Sequence, residues 1–114
     1  FYDNIATDIM HQQKKYFNAG NWTIGNAWFQ QYEKNSTHDY HTHGLANYTN
    51  VYFLELPDPK FKTSIKVGKK EYNYKVKEGQ IITFPAHLLH GSMSNGDLRK
   101  TVISFNSNFK YYVL

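Results

Sequence analysis

With 114 residues and 40% hydrophobic content, the chain has room for one domain with a real core, small for its class. Zero cysteines exclude disulfides and thiolate zinc sites, and no apolar run reaches the roughly 18 residues of a membrane span. A net charge of +4 and a pI near 9.2 raise a nucleic-acid partner without arguing strongly for one, because the lysines are dispersed apart from a run between Lys60 and Lys77.

Residues 3–17 carry helical spacing. Ile5, Ile9, Gln12 or Gln13, and Tyr16 or Phe17 fall near one stripe, with Asp3 as N-cap and Asn18-Ala19-Gly20 as the stop. Everything afterwards reads as strands. Residues 23–33 are aromatic and β-rich, and residues 48–56 form a strong strand ended by Pro57-Asp58-Pro59. Residues 62–67 and 71–76 flank a turn at Val67-Gly68-Lys69-Lys70, and their alternation is that of a half-exposed hairpin whose lysines make a solvated outer face. Residues 80–84, 88–94 and 101–109 follow, separated by Pro85 and by Asn95-Gly96-Asp97. The expected architecture is all-β: one helix (about 3–17) packed on a sandwich of seven or eight short strands (about 22–110) closed into a roll.

No secretory pattern opens the chain, and its lack of cysteine suits a reducing compartment, so the expected location is cytoplasmic. Phe1 in place of Met is what a trimmed or processed chain would show. Sequons begin at Asn21, Asn35 and Asn47, and chance accounts for them in so asparagine-rich a chain.

Two histidine-bearing pieces carry chemistry. On an extended segment His41 and His43 point to one face, because side chains alternate with period 2. In the second half, Gly79 begins a tight turn before an apolar strand, Pro85 ends that strand, and His90 follows on the next one. Three imidazoles converging from two strands of a curled sheet make a transition-metal site, though histidine suits iron, zinc, copper and nickel alike. Asp39 shares the face of His41 and His43 if the segment is extended, and offers a carboxylate. His11, His38 and His87 read as surface or supporting residues.

The stretches His41-Thr42-His43, Thr49-Asn50-Val51-Tyr52-Phe53-Leu54, residues 81–91 (IITFPAHLLHG) and residues 99–106 (RKTVISFN) resemble the small 2-oxoglutarate/Fe(II)-dependent oxygenases, bacterial and phage members related to prolyl hydroxylases. The resemblance covers roughly residues 22–109. It implies a double-stranded β-helix of the cupin-like superfamily, Fe(II) as the metal, and 2-oxoglutarate and dioxygen as co-substrates. The family's usual triad is two histidines and one carboxylate; here the acid's slot holds His43. Three solutions stay open: a site of His41, His43 and His90; Asp39 as the carboxylate; or two histidines completed by water or a distant acid such as Glu55.

A co-substrate diacid needs a cation at the far end of the pocket, because an unpaired carboxylate in a dry barrel is costly. The resemblance places that cation nine or ten positions after the last histidine ligand, at Arg99 or Lys100. On an extended strand Lys100, Val102, Ser104 and Asn106 share one face, and the more apolar Arg99, Thr101, Ile103 and Phe105 share the other. That parity favours Lys100 with Ser104 and Asn106 as pocket lining; Arg99, the better bidentate fork, is the second candidate. Trp28, Tyr32, Tyr48 and Tyr52 are aromatic candidates for the wall, with a tyrosine hydroxyl such as that of Tyr32 on the co-substrate carboxylate.

The leading expectation is therefore a non-haem Fe(II)- and 2-oxoglutarate-dependent dioxygenase that hydroxylates a small molecule or a peptide. The rivals are a cupin-type three-histidine metalloprotein, a dioxygenase or isomerase using no 2-oxo acid, and a non-catalytic metal-binding module. Fold analogy does not choose among them.

Overall fold

A computed structural model describes residues 5–17, 20–44 and 46–109. Helix α1 (Thr7–Tyr16) is followed by strands β1 (Trp22–Tyr32), β2 (His38–His41), β3 (Tyr48–Glu55), β4 (Ser64–Val67), β5 (Lys70–Glu71), β6 (Ile81–Pro85), β7 (Leu89–Ser92) and β8 (Lys100–Phe109), with a 3-10 turn at Pro59–Phe61. The strands form two antiparallel four-stranded sheets, ordered β1-β8-β3-β6 and β2-β7-β4-β5. Every connection except the β4–β5 hairpin passes from one sheet to the other. That winding is a jelly roll, a double-stranded β-helix. No described helix is long and apolar enough to cross a membrane.

Strand β8 is the axis of the larger sheet, and only Ile103 and Asn108 along it escape full burial. One face looks into the roll, where Val102 joins Tyr32, Val51, Phe53, Ile65 and Phe84 in the core between the sheets. The other face lies under α1, where Phe105 and Phe109 pack on Ala6 and Met10. Burial of large apolar side chains on both faces is what holds helix and roll together, at roughly 1.5–3 kcal/mol per side chain.

The helix departs from expectation in its rotation. Ala6 and Met10 are wholly buried while Ile5 is 38% exposed, so the inward stripe is Ala6, Met10, Gln13 and Phe17 with Ile9 packed at its edge: it starts one residue later than Ile5 and ends on Gln13 and Phe17, two of the positions the spacing offers. Polar partners set that rotation. The Gln13 amide donates to Asn50 Oδ1 at 3.0 Å and Thr83 Oγ1 at 2.7 Å, and Asn50 in turn donates to the Phe105 carbonyl and Ser107 Oγ. Phe17 stacks on Tyr48 at 4.8 Å between ring centroids. Asn50 is tolerated in the interior because both ends of its amide are paired, whereas Gln13 pairs its nitrogen and leaves Oε1 buried without a partner among the described residues. Ala6 stands at the N-cap position without a side-chain cap; Asp3 and the Asn18-Ala19 stop lie outside the described residues.

The β4–β5 hairpin is shorter than its alternation suggests. Its second strand is only Lys70–Glu71, and residues 72–77 join no ladder despite their alternation. Tyr74 and Val76 turn inward instead, with the Tyr74 hydroxyl donating to the Thr63 carbonyl, so burial of two side chains replaces strand pairing.

Candidate metal centre

Strand β2 ends at His41, one residue into the H-x-H, and His43 lies in the loop beyond it. The two imidazoles converge for different local reasons. His41 sits directly opposite His90 in the β2–β7 ladder, and the His43 backbone N–H is tied to the Ala86 carbonyl at 3.0 Å, just past Pro85. Gly79, at φ +85°, makes the turn that starts β6 and so aligns this corner. The candidate ligand nitrogens of His41, His43 and His90 all lie within 4.8 Å of one another. A shared ion at metal–nitrogen distances of about 2.1 Å would draw them slightly closer, which imidazole rotation can supply.

Hydrogen bonds fix two of the three tautomers. His41 Nδ1 donates to the Asp39 carbonyl at 2.8 Å and His90 Nδ1 to the Leu88 carbonyl at 2.9 Å. A carbonyl only accepts, so each Nδ1 carries the proton and each Nε2 keeps its lone pair for a metal. His43 bonds the Asn106 side chain and stacks on Trp28 at 5.5 Å. Burial lowers the pKa of His90 to about 4 and that of His43 below the ordinary value, with nearby His41 adding to both. Both rings are neutral at pH 7, the form that ligates. This donor set fits a borderline transition metal such as Fe(II) or Zn(II) and does not fit a hard cation such as calcium.

Asp39 is not part of the group. A register shift between His38 and His41 breaks the alternation, leaving the Asp39 carboxylate exposed while its backbone carbonyl orients His41. His38, read as a surface or supporting residue, lines the pocket, stacked on His41 at 4.2 Å with Nδ1 3.5 Å from the Tyr32 hydroxyl. The slip explains both, and no residue pattern announces it. Glu55 is held by Arg99 at 2.9 Å and by Thr101, and is not among the grouped ligands.

The pocket beside the histidines is lined on β8 by Val102 and Ser104, on β1 by Trp28, Gln30 and Tyr32, and on β7 by His90 and Ser92. It is narrow, with about 30 Å³ of free space, the room of about one water. Asn106 reaches this end only through His43 and Thr49. Tyr48, by contrast, faces the helix, in contact with Phe17 and Phe109, and Tyr52 shares its parity on β3, away from the pocket-lining Thr49 and Val51.

Lys100 is 1% exposed. Its ammonium donates to Ser92 Oγ and to the Phe61 carbonyl at 2.8 Å, and lies 4.1 Å from the centre of the Tyr32 ring. Ser92 also bonds the Tyr32 hydroxyl, whose pKa burial raises. Burial lowers the Lys100 pKa to about 8, so the cation persists at neutral pH. Arg99 points the other way, to solvent and Glu55. Gly91 between His90 and Ser92 was not legible as a site residue. A Cβ there would stand 2.7 Å from the His38 carbonyl, so only glycine lets β2 approach this closely.

No family model and no curated protein sequence matches the chain. Among solved structures, the chain resembles a viral collagen prolyl hydroxylase from Paramecium Bursaria Chlorella virus-1, solved in complex with 2OG. The TM-score is 0.64 at 14% identity, over 91% of this chain and 72% of that one. It also matches an RmlC-like cupin protein from Desulfovibrio desulfuricans, with a TM-score of 0.46 at 12% identity over 79% and 84% of the two chains. At such identities the first likeness is one of fold.

Proposed function

We propose that this chain is a non-haem Fe(II)- and 2-oxoglutarate-dependent oxygenase acting on a small molecule or a peptide side chain. The observation that carries the reading is a three-imidazole cluster in a pocket whose wall residues Ser92 and Tyr32 contact the buried Lys100 ammonium directly behind them. Ser92, which accepts from Lys100, is two residues beyond His90, so the backbone positions carrying the ammonium's partner and the ligand stand about 7 Å apart along β7. A five-carbon diacid bound to the metal by its 2-oxo acid end spans a comparable distance. The prolyl hydroxylase with the same fold, solved with 2OG, supports the reading.

In this reading His41, His43 and His90 hold the iron. Bound iron supplies the oxidative chemistry, coupling decarboxylation of 2-oxoglutarate by dioxygen to hydroxylation of a substrate carbon. The protein's part is placement. Lys100 neutralises the distal carboxylate, with Ser92 and the Tyr32 hydroxyl as further donors, and Asn106 holds the His43 ring. Val51, Val102 and Phe84 keep water from the inner end, so the charge pair acts in a medium of low dielectric.

Two observations favour a second reading, a cupin-type metalloprotein without a 2-oxo acid: the all-imidazole ligand set and the small free volume of the pocket. Succinate separates the two. Fe(II)-loaded protein given 2-oxoglutarate and dioxygen should form succinate, and His90→Ala should not. Tight Fe(II) binding with no succinate under any tested substrate would move the conclusion to the second reading.

A further inference from the structure

The net charge of the chain is concentrated in one segment. Residues 58–78 hold seven lysines against Asp58, Glu71 and Glu78, a net of +4, and the rest of the chain holds six cations and six acids. The whole formal charge thus sits on β4, β5 and their flanks.

Residues of this basic segment line a second cavity, of about 460 Å³. Val67, Tyr72, Tyr74, Lys75, Ile82 and Leu88 are among its walls, and Tyr72 and Val67 are 57% and 53% exposed. It opens between two sheet edges. β6 is the last strand of one sheet and β5 the last of the other, and among the described residues neither edge has a further strand. Residues 72–77 run alongside, alternating yet unpaired in any ladder. Edge lysines alone guard against self-pairing; an apolar cavity beneath them is not explained that way.

We propose that this cleft docks an extended acidic peptide segment with apolar side chains at alternate positions. Its apolar side chains would fill the cavity, its backbone would pair with the free edge of β6, and its carboxylates would meet the exposed Lys69, Lys70, Lys75 and Lys77. A second copy of the chain pairing through the same edge would bring the same segment of net charge +4 and be repelled. Single-stranded nucleic acid matches the charge. However, a free strand edge offers N–H and C=O groups suited to a peptide backbone, and Lys62 already covers a face of Tyr74 at 5.1 Å. The site needs no metal, so it stands or falls separately from the oxygenase reading.

A fluorescein-labelled synthetic peptide alternating Glu with Val and Tyr, titrated with the full metal-free chain and followed by anisotropy, tests this. Saturable, salt-sensitive binding is expected, weakened about tenfold or more in Tyr72→Ala and in the double variant Lys75→Glu/Lys77→Glu. All three residues are exposed, and unchanged thermal midpoints verify that the variants fold. A Gly/Glu peptide of equal charge should bind about tenfold more weakly, since it has nothing to bury. Equal binding of the two peptides, or no loss in Tyr72→Ala, overturns the proposal. Tighter binding of oligo-dT than of peptide overturns it in favour of nucleic acid. Sedimentation of the chain as a dimer that Tyr72→Ala dissociates overturns it in favour of self-pairing.

Discussion

His90 anchors the candidate centre: it is buried, its tautomer is fixed by Leu88, and His41 stands opposite it. His90→Ala is expected to abolish uptake of one Mn(II) or Fe(II) per chain in anaerobic calorimetry, and His43→Ala to weaken it severely. Asp39→Asn should be mild, because the part of Asp39 that matters is its backbone carbonyl. The opposite ranking would make the Asp39 carboxylate a ligand. Lys100 gives a pH signature. Its folded pKa is depressed to about 8 from 10.5, so between those values the unfolded chain binds more protons and stability rises with pH. The buried cation therefore destabilises neutral protein by an amount of the order of 3 kcal/mol, and the gap between parent and Lys100→Met in urea midpoints should shrink from pH 7 to about pH 10. A carboxylate paired with that ammonium raises its pKa again, so 2-oxoglutarate affinity should fall above pH 8 in the parent and have no such limb in Lys100→Met. Calorimetry across that range checks it. At this scale the sequence was informative about residue type and poor about direction. The parity of β8 could be read because the strand is regular, whereas the inward turn of His38 depends on a register slip that no residue type encodes.

At the level of elements, pairing of β2 with β7 positions the site. β2 is only four residues long and depends on its close approach to β7 across Gly91. Gly91→Ala must push the His38 carbonyl away. A cost of about 1–3 kcal/mol in stability is expected, together with weaker metal affinity, since His41 and His90 lose their register. Unchanged metal affinity would mean that the loop of His43, rather than the ladder, sets the geometry. Helix α1 acts on the far side of the larger sheet. Phe105→Ala should cost about 3–5 kcal/mol by chemical denaturation while leaving metal stoichiometry intact, because Phe105 faces Met10 and not the pocket. The existence of the helix and of most strands could be read from spacing, and the helix rotation could not. The rotation is set by Gln13 meeting Asn50 and Thr83, residues distant in sequence. For the same reason residues 72–77 read as a strand: alternation reports which side chains turn inward, and Val76 is buried and Tyr74 half-buried without a ladder.

Over the whole molecule, winding between the sheets brings His41 and His43 to His90, and Lys100 to Ser92, although each pair is far apart or differently placed along the chain. Among the described residues the roll has a narrow pocket at the histidines and a broad apolar cleft beside Lys75. The first was legible as two separate motifs, because each keeps its residues within a short segment. The second was not, because it arises where β5 stops pairing and the edges of two sheets part. The decisive measurement is anaerobic titration of the Fe(II)-loaded chain with 2-oxoglutarate, followed in the visible region. A weak, saturable charge-transfer band of the chelate is expected, retained in Arg99→Met and lost in Lys100→Met, where removal of the buried partner should cost roughly 2–5 kcal/mol of binding. A parent protein that binds Fe(II) through His90 yet develops no band would contradict the oxygenase reading.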